Sequence, residues 1–179
     1  QLAYGQLAIV AWLALATTLA PGIKPGKIVQ VALIIGVAAA LAGLSIYARF
    51  DIAAQPFRQG FTWGVMGLGG LGPAIALLWV ARRISLPGTR EKAVFSALVM
   101  SLLLFAYGGV LGALITGQNV TIPAHYHGAI VGITLAFMGL SYAWLPRLGY
   151  GEIAHTKLAW LQPVVLGLGQ ALHVSGLAW

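Results

Sequence analysis

Residues 122–128 read IPAHYHG, and residues 129–146 continue as the apolar run AIVGITLAFMGLSYAWLP. A run of this length predicts a membrane-spanning helix that carries two histidines, His125 and His127, at its head. At about 100° per residue, positions two apart point about 200° apart around a helix, so the two imidazoles face opposite sides. A single metal ion is served better by histidines at i and i+4, which share one face. The spacing therefore favours two separate partners, one on each side of the helix.

Neutral imidazole is a good axial ligand for haem iron. We therefore expect this helix to stand between two haems, with His125 ligating one iron and His127 the other. The alternative is that both side chains cap the helix end or bond to the backbone of the preceding loop.

Composition places the chain in a membrane. Of the 179 residues, 60% are hydrophobic and 7% are charged, whereas a soluble domain carries about 25% charged residues. The mean hydropathy of +0.91 and the repeated apolar runs of about twenty residues indicate a polytopic α-helical membrane protein. The basic residues behind the net charge of +7 are scattered, so no nucleic-acid partner is expected. The absence of cysteine excludes disulfides, iron–sulfur ligation and a cysteine zinc site.

We predict a single all-α transmembrane domain, residues 1–179, that forms a bundle of six helices. Short polar or Gly/Pro-rich connections suit antiparallel neighbours. The predicted spans are approximately residues 3–20, 28–50, 61–80, 93–116, 124–145 and 157–177.

Charge asymmetry between the loops predicts the orientation. Loops on one side carry eight basic residues, and those on the other side carry only Arg49 and Arg58. Basic loops stay on the cytoplasmic side, so both termini are expected outside, with His125 and His127 about one turn below the outer interface. The eight residues are Lys24, Lys27, Arg82, Arg83, Arg90, Lys92, Arg147 and Lys157.

Glycine is abundant, with 24 residues, and many lie inside the predicted spans. One interpretation is close helix packing through small residues. The other is room for a flat macrocycle against the backbone, and both can hold at once. Examples are Gly67, Gly69, Gly70 and Gly72 in the third span and Gly108, Gly109 and Gly112 in the fourth.

Few other residues are candidates for a functional site. His173 lies at the depth of the histidine pair and is expected to ligate a metal or bond a haem propionate, or else to be an interfacial histidine satisfied by water or backbone. Arg58 is a candidate propionate partner, with a solvated loop arginine as the alternative. His155 is interpreted as a solvated loop residue. The carboxylates lie in loops, where no pair suits general acid–base catalysis: Asp51, Glu91 and Glu152.

The run 120–146 closely resembles the haem-binding helix of subunit I of haem–copper oxidases and of the related nitric oxide reductases. In that family a His-aromatic-His triplet near the outer side ligates two haems. The resemblance implies that His125 ligates the iron of the high-spin haem and that His127 is one axial ligand of the low-spin haem.

The resemblance extends to both neighbouring spans. Residues 93–116, with FAYGG at 105–109, are similar to the preceding family helix, and residues 156–179, with LHVSGL at 172–177, are similar to the following one. Six spans with outer termini match the second half of the twelve-helix subunit.

The chain departs from the family at the distal metal site. The family uses three histidines there, but no histidine precedes His125, and the expected histidine pair is replaced by SIYARF at 45–50. The first span also lacks the His-Pro-Glu signature. Copper is therefore not expected from this chain, and the second ligand of the low-spin haem belongs on a family helix that these residues do not include.

The resemblance implies a haem-binding subunit I, or its C-terminal part, in a respiratory oxidase-like complex that passes electrons to oxygen or nitric oxide. The implied class is an oxidoreductase similar to cytochrome c oxidase, in a bacterial inner membrane. The implied partners are other subunits, N-terminal helices outside these residues, membrane lipid, and cytochrome c or a similar donor. The alternatives are a non-catalytic membrane haem relay that has lost the distal metal and a cofactor-free structural subunit.

Overall fold

The computed structural model describes residues 2–84, 91–116 and 119–179. All regular structure within these ranges is helical, and no strand occurs in them. The helices are α1 (Leu2–Leu19), α2 (Lys27–Arg49), α3 (Gln55–Trp63), a π-helix (Gly64–Gly69), α4 (Gly70–Ala81), α5 (Lys92–Ala113), α6 (Thr121–Trp144), a short 3₁₀ helix (Pro146–Leu148) and α7 (Thr156–Ala178).

Four helical stretches in the described ranges are long and apolar enough to cross a membrane. They agree with an integral membrane protein built as a helix bundle. The predicted count of six spans stays a prediction, because α1 is shorter and α7 is not among the four. The four stretches are Lys27–Arg49, Gln55–Ala81, Lys92–Ala113 and Thr121–Trp144.

Two helices begin earlier than predicted. α3 begins at Gln55 rather than at residue 61, so Arg58 lies inside a helix and not in the loop before it. α6 begins at Thr121 rather than at residue 124. The cause is the same in both helices: a proline lies in the first turn, where its missing N–H and fixed φ cost little. A further correction concerns α5, which ends at Ala113 instead of at residue 116.

The third predicted span is interrupted. Between α3 and α4 the backbone widens into the π-helix Gly64–Gly69, and Pro73 follows within the first turn of α4. Proline cannot donate a hydrogen bond to the carbonyl four residues before it, which is that of Gly69. Each glycine in the segment ahead of this gap lowers helix propensity by about 1 kcal/mol relative to alanine, so the regular α-helix is weakly favoured there.

The core is centred on α1, which contacts α2, α4, α5 and α6. Ile9, Trp12 and Leu15 on this helix are fully buried. The Trp12 ring packs edge-to-face on Phe105 of α5, with 5.0 Å between ring centroids. α5, α6 and α7 pack against one another on one side of α1, and α2 packs with α4 on another. α1 therefore joins two groups of helices.

A buried polar chain fixes α1, α5 and α6 together. Trp12 Nε1 donates to Ser101 Oγ at 2.8 Å, and Ser101 Oγ donates to the Gly132 carbonyl at 2.6 Å. The Trp12 N–H, the Ser101 hydroxyl and the Gly132 carbonyl are all paired, as buried polar groups must be to avoid a desolvation penalty.

Replacing Ser101 with alanine is expected to lower the free energy of unfolding by about 1–3 kcal/mol, because the Trp12 N–H and the Gly132 carbonyl lose a partner away from water. Thermal unfolding in detergent, followed by circular dichroism, measures the change. Ser96→Ala is the matched control, since the Ser96 hydroxyl bonds only Ala93 of its own helix. Equal losses of stability for the two variants would contradict the role assigned to the Trp12–Ser101–Gly132 hydrogen bonds.

Candidate histidine site

The site lies where α5 and α6 cross with their backbones in contact. A Cβ at Gly108 would lie 2.6 Å from the Ala129 nitrogen, and one at Gly128 would lie 2.7 Å from the Gly108 Cα. Further along, a Cβ at Gly132 would lie 2.9 Å from the Phe105 nitrogen. Close packing through small residues, one of the two predicted uses of glycine, is thus confirmed here.

His125 turns toward α5 from its position on α6. Its Nδ1 lies 2.7 Å from the Gly108 carbonyl oxygen, and its side chain is half-buried. Because a carbonyl oxygen can only accept, Nδ1 carries the proton, and in the neutral ring Nε2 keeps its lone pair. Metal-ligating histidines typically have this arrangement, since the backbone bond fixes both tautomer and ring orientation.

Gly112 provides the space that the His125 ring occupies. A Cβ at Gly112 would lie 2.6 Å from Nδ1 and 2.7 Å from Cε1 of His125. These distances are shorter than van der Waals contact, so only glycine at this position leaves the ring where it is. Gly108 and Gly112 are one helical turn apart. The Gly108 carbonyl accepts a hydrogen bond from the imidazole, and the missing side chain at Gly112 leaves room for the ring.

His127 turns toward α7 and meets His173. The two rings are edge-to-face, with centroids 5.0 Å apart and an interplanar angle of 87°, and both side chains are exposed. His125 therefore faces α5 while His127 faces α7, in keeping with the predicted divergence of the pair. The sequence placed His173 only at the same depth; its ring contact with His127 depends on how α6 and α7 pair.

A second polar contact ties α5 to α7 near this end of the bundle. Ser175 Oγ donates to the Ala171 carbonyl at 2.8 Å, so its oxygen accepts from the Tyr107 hydroxyl at 2.9 Å. Beside it, Val174 packs with Leu111 and Ala124 in a small buried cluster. The three helices are thereby held together at the level of the histidines.

Arg58 is not brought to the histidines. It is exposed on α3, which packs against α2 and the π-helix, whereas α6 packs against α1, α5 and α7. His155 is exposed immediately before α7, in the loop where it was expected.

Over residues 2–84, 91–116 and 119–179, no three side chains among His, Cys, Asp and Glu lie close enough together to hold a metal ion. A haem needs only one axial side chain on each face, so this finding does not bear on it.

The donor set fits haem ligation, and the space available for a macrocycle is limited. Between α5 and α6 the crossing is closed by backbone contact, and the Gly112 surface is taken by the imidazole. Gly109 has no atom within 4 Å of a would-be Cβ and leaves one face of α5 open. A group bound by either imidazole would therefore lie outside the α5–α6 crossing, and of the two side chains that of His127 is the more exposed.

Replacing Gly112 with alanine is expected to displace the His125 ring and break its bond to Gly108, because the new methyl group would overlap the imidazole. Any haem signal that depends on His125 should fall several-fold while the protein stays folded. The visible spectrum and circular dichroism of the same sample measure the two properties. Gly176→Ala is the control, since a Cβ there meets nothing within 4 Å; an equal effect from this control would refute the explanation.

Two relatives match the chain. It is 29% identical over 169 residues to an uncharacterized protein of Rickettsia prowazekii (strain Madrid E), covering 73% of this chain and 33% of that protein. It is 39% identical over 57 residues to an uncharacterized protein of Aquifex aeolicus (strain VF5), covering 32% of this chain and 15% of that protein. The chain thus spans about a third or less of the curated relatives it matches. No protein-family model and no solved structure matches it.

Proposed function

We propose that this chain is the haem-binding C-terminal part of a subunit I of a respiratory oxidase-like complex, one that passes electrons to oxygen or nitric oxide. The observation that carries the proposal is the bond from His125 Nδ1 to the Gly108 carbonyl. It holds a half-buried imidazole with its Nε2 lone pair free, as an axial ligand requires.

The two histidines have separate roles in this proposal. His125 ligates the high-spin haem through Nε2, and His127 ligates the low-spin haem on the other side of α6. Haem, when bound at these positions, supplies electron transfer and a site for a diatomic gas. The residues of this chain contribute ligation and orientation. The Gly108 carbonyl and the space at Gly112 fix the His125 ring. The edge-to-face contact with His173 limits rotation of His127.

The exposed His127 supports a further element of the proposal. An axial ligand of a buried cofactor has to be covered, and the side chain is exposed in the described helices. N-terminal helices of a longer protein, or another subunit, would cover it and supply the second low-spin ligand. The greater length of both relatives supports this partner. His173, whose ring lies against that of His127, remains the proposed contact to a haem propionate.

The remaining features of the proposal follow from the family resemblance and from charge. They are six spans in a bacterial inner membrane with both termini outside, and cytochrome c or a similar donor. The second candidate function is a non-catalytic haem relay. It is favoured by one observation, namely that no histidine precedes residue 125 to complete a distal metal site.

A reduced-minus-oxidised visible spectrum of the protein purified from native membranes tests the proposal. Haem bands are expected, and their absence would leave a cofactor-free structural subunit. Carbon monoxide added to the ferrous protein then distinguishes the two haem functions. A shifted band is expected for a high-spin haem with an open face, whereas a six-coordinate relay has no free position and gives no shift.

A further inference from the structure

A buried tryptophan, Trp79, lies against Arg83 at the end of the bundle opposite the histidines. The Arg83 guanidinium carbon lies 4.3 Å from the centroid of the Trp79 ring, and Arg83 Nη1 donates to the Trp79 carbonyl at 3.4 Å. At Gly26, the residue before α2, a Cβ would lie 3.8 Å from Trp79 Nε1. Lys24 and Lys27 flank this glycine. The N-terminal end of α2 and the C-terminal end of α4 therefore meet at Trp79, with Arg83 against its ring and with Lys24 and Lys27 close to Gly26 in the sequence.

The charge here is strongly unbalanced. Among the described residues, the segments at this end contain seven basic residues and two carboxylates, Glu91 and Glu152. Lys24, Lys27 and Arg83 are all exposed, although Trp79 itself is 6% exposed. An aromatic ring that fixes a guanidinium by cation–π contact also limits its rotamers, so Arg83 is held in position to bind an anion.

A shallow, open apolar groove, lined by side chains of α2 alone, begins close to this basic end. It has a volume of about 370 Å³, and Ile34 and Leu41 on its sides are 67% and 59% exposed. At 1.5 Å per residue, its lining residues lie about 9–21 Å along the helix from Lys27, a distance that a fatty acyl chain can span. Ala38 has the smallest of the lining side chains and leaves space between its neighbours. The lining residues are Leu33, Ile34, Val37, Ala38 and Leu41.

We propose that Lys24, Lys27 and Arg83 hold the phosphate of an anionic phospholipid whose acyl chain lies in the α2 groove. Charge complementarity selects the headgroup, because basic residues at a membrane surface attract anionic lipids. The groove selects a lipid over a free anion, since a soluble phosphate has nothing to place there. This site is independent of the histidines and of the function proposed above.

Native mass spectrometry of the purified protein in detergent tests the site, with phosphatidylglycerol and phosphatidylcholine as competing probes. We expect phosphatidylglycerol to be retained preferentially. Each lost cation should reduce this preference about fivefold, so Lys24→Gln with Lys27→Gln should reduce it about 25-fold. These exposed side chains are replaced without disturbing the core. Arg83→Gln adds a further reduction.

The matched control is Arg147→Gln with Lys157→Gln, which removes the same charge at the same end from exposed positions on other helices. The control should retain the preference; an equal loss would mean diffuse attraction and overturn the site. Ala38→Phe fills the groove and should weaken lipid retention. Full competition by inorganic phosphate, with no effect of Ala38→Phe, would assign a free-anion site instead. Loss of a dimer on Ala38→Phe, with lipid unchanged, would assign the groove to a second copy.

Discussion

Replacing His125 with alanine is expected to abolish the carbon monoxide-reactive haem signal and to leave the low-spin signal, and His127→Ala is expected to do the reverse. The reason is geometric: the His125 ring is bound to α5 through Gly108, and the His127 ring lies against α7. Each haem would then depend on one imidazole. Reduced-minus-oxidised and carbon monoxide difference spectra of the two variants measure both signals.

His155→Ala is the control for this pair, because His155 is exposed outside the helices and should leave both signals intact. If neither single replacement at His125 or His127 removed a signal, the assignment of one haem to each would fail. If either replacement removed both signals while circular dichroism stayed native, the two rings would serve one shared site instead.

Replacing Gly108 with alanine is expected to be the most destabilising small substitution in the bundle. Its Cβ would lie 2.6 Å from the Ala129 nitrogen and 2.8 Å from the Gly128 carbonyl carbon. Both atoms belong to the α6 backbone, which cannot move aside as a flexible side chain can. Overpacking of this kind costs about 1–3 kcal/mol, and more where backbone must shift. Loss of thermal stability in detergent is the measurement.

Gly109→Ala is the matched control for the Gly108 variant. It makes the same chemical change one residue further along α5, at a position with open space around a Cβ. Unchanged or slightly raised stability is expected there, because alanine is the better helix former. A tolerated Gly108→Ala would mean that α5 and α6 do not cross in contact at Gly128, and the position assigned to His125 would lose its basis.

The apolar runs predicted the helices well, because a span of about twenty apolar residues has few other structures open to it in lipid. The interruption at Gly64–Gly69 was not predicted. Hydropathy averages over a window and does not register a change in hydrogen-bond pattern. The glycines and Pro73 that produce the π-helix are visible in the sequence, but each is also common in ordinary transmembrane helices.

Helix starts were the least predictable part of the fold. Pro56 lies in the first turn of α3 and Pro123 in that of α6, whereas hydropathy placed both starts later. Proline costs little in a first turn, because the backbone N–H that it lacks has no partner within the helix there. Moving the start of α6 to Thr121 places His125 a full turn inside the helix, where its ring can reach the α5 backbone.

The sequence predicted the directions in which the two histidines point but not the residues that they contact. Two-residue spacing on a helix already separates His125 from His127. The Gly108 carbonyl, the Gly112 surface and the His173 ring become partners only because α6 packs against both α5 and α7. Such contacts depend on crossing geometry, which small residues permit but do not specify.

The central claim is that His125 and His127 each ligate a haem iron. Its most direct test is the number of haem irons per protein molecule, from pyridine haemochrome absorbance and metal analysis of the purified protein. The account predicts two haem irons in the wild type and one after His125→Ala or His127→Ala, with no stoichiometric copper attributable to this chain. A wild-type protein without haem, or variants that keep both haems, would contradict it.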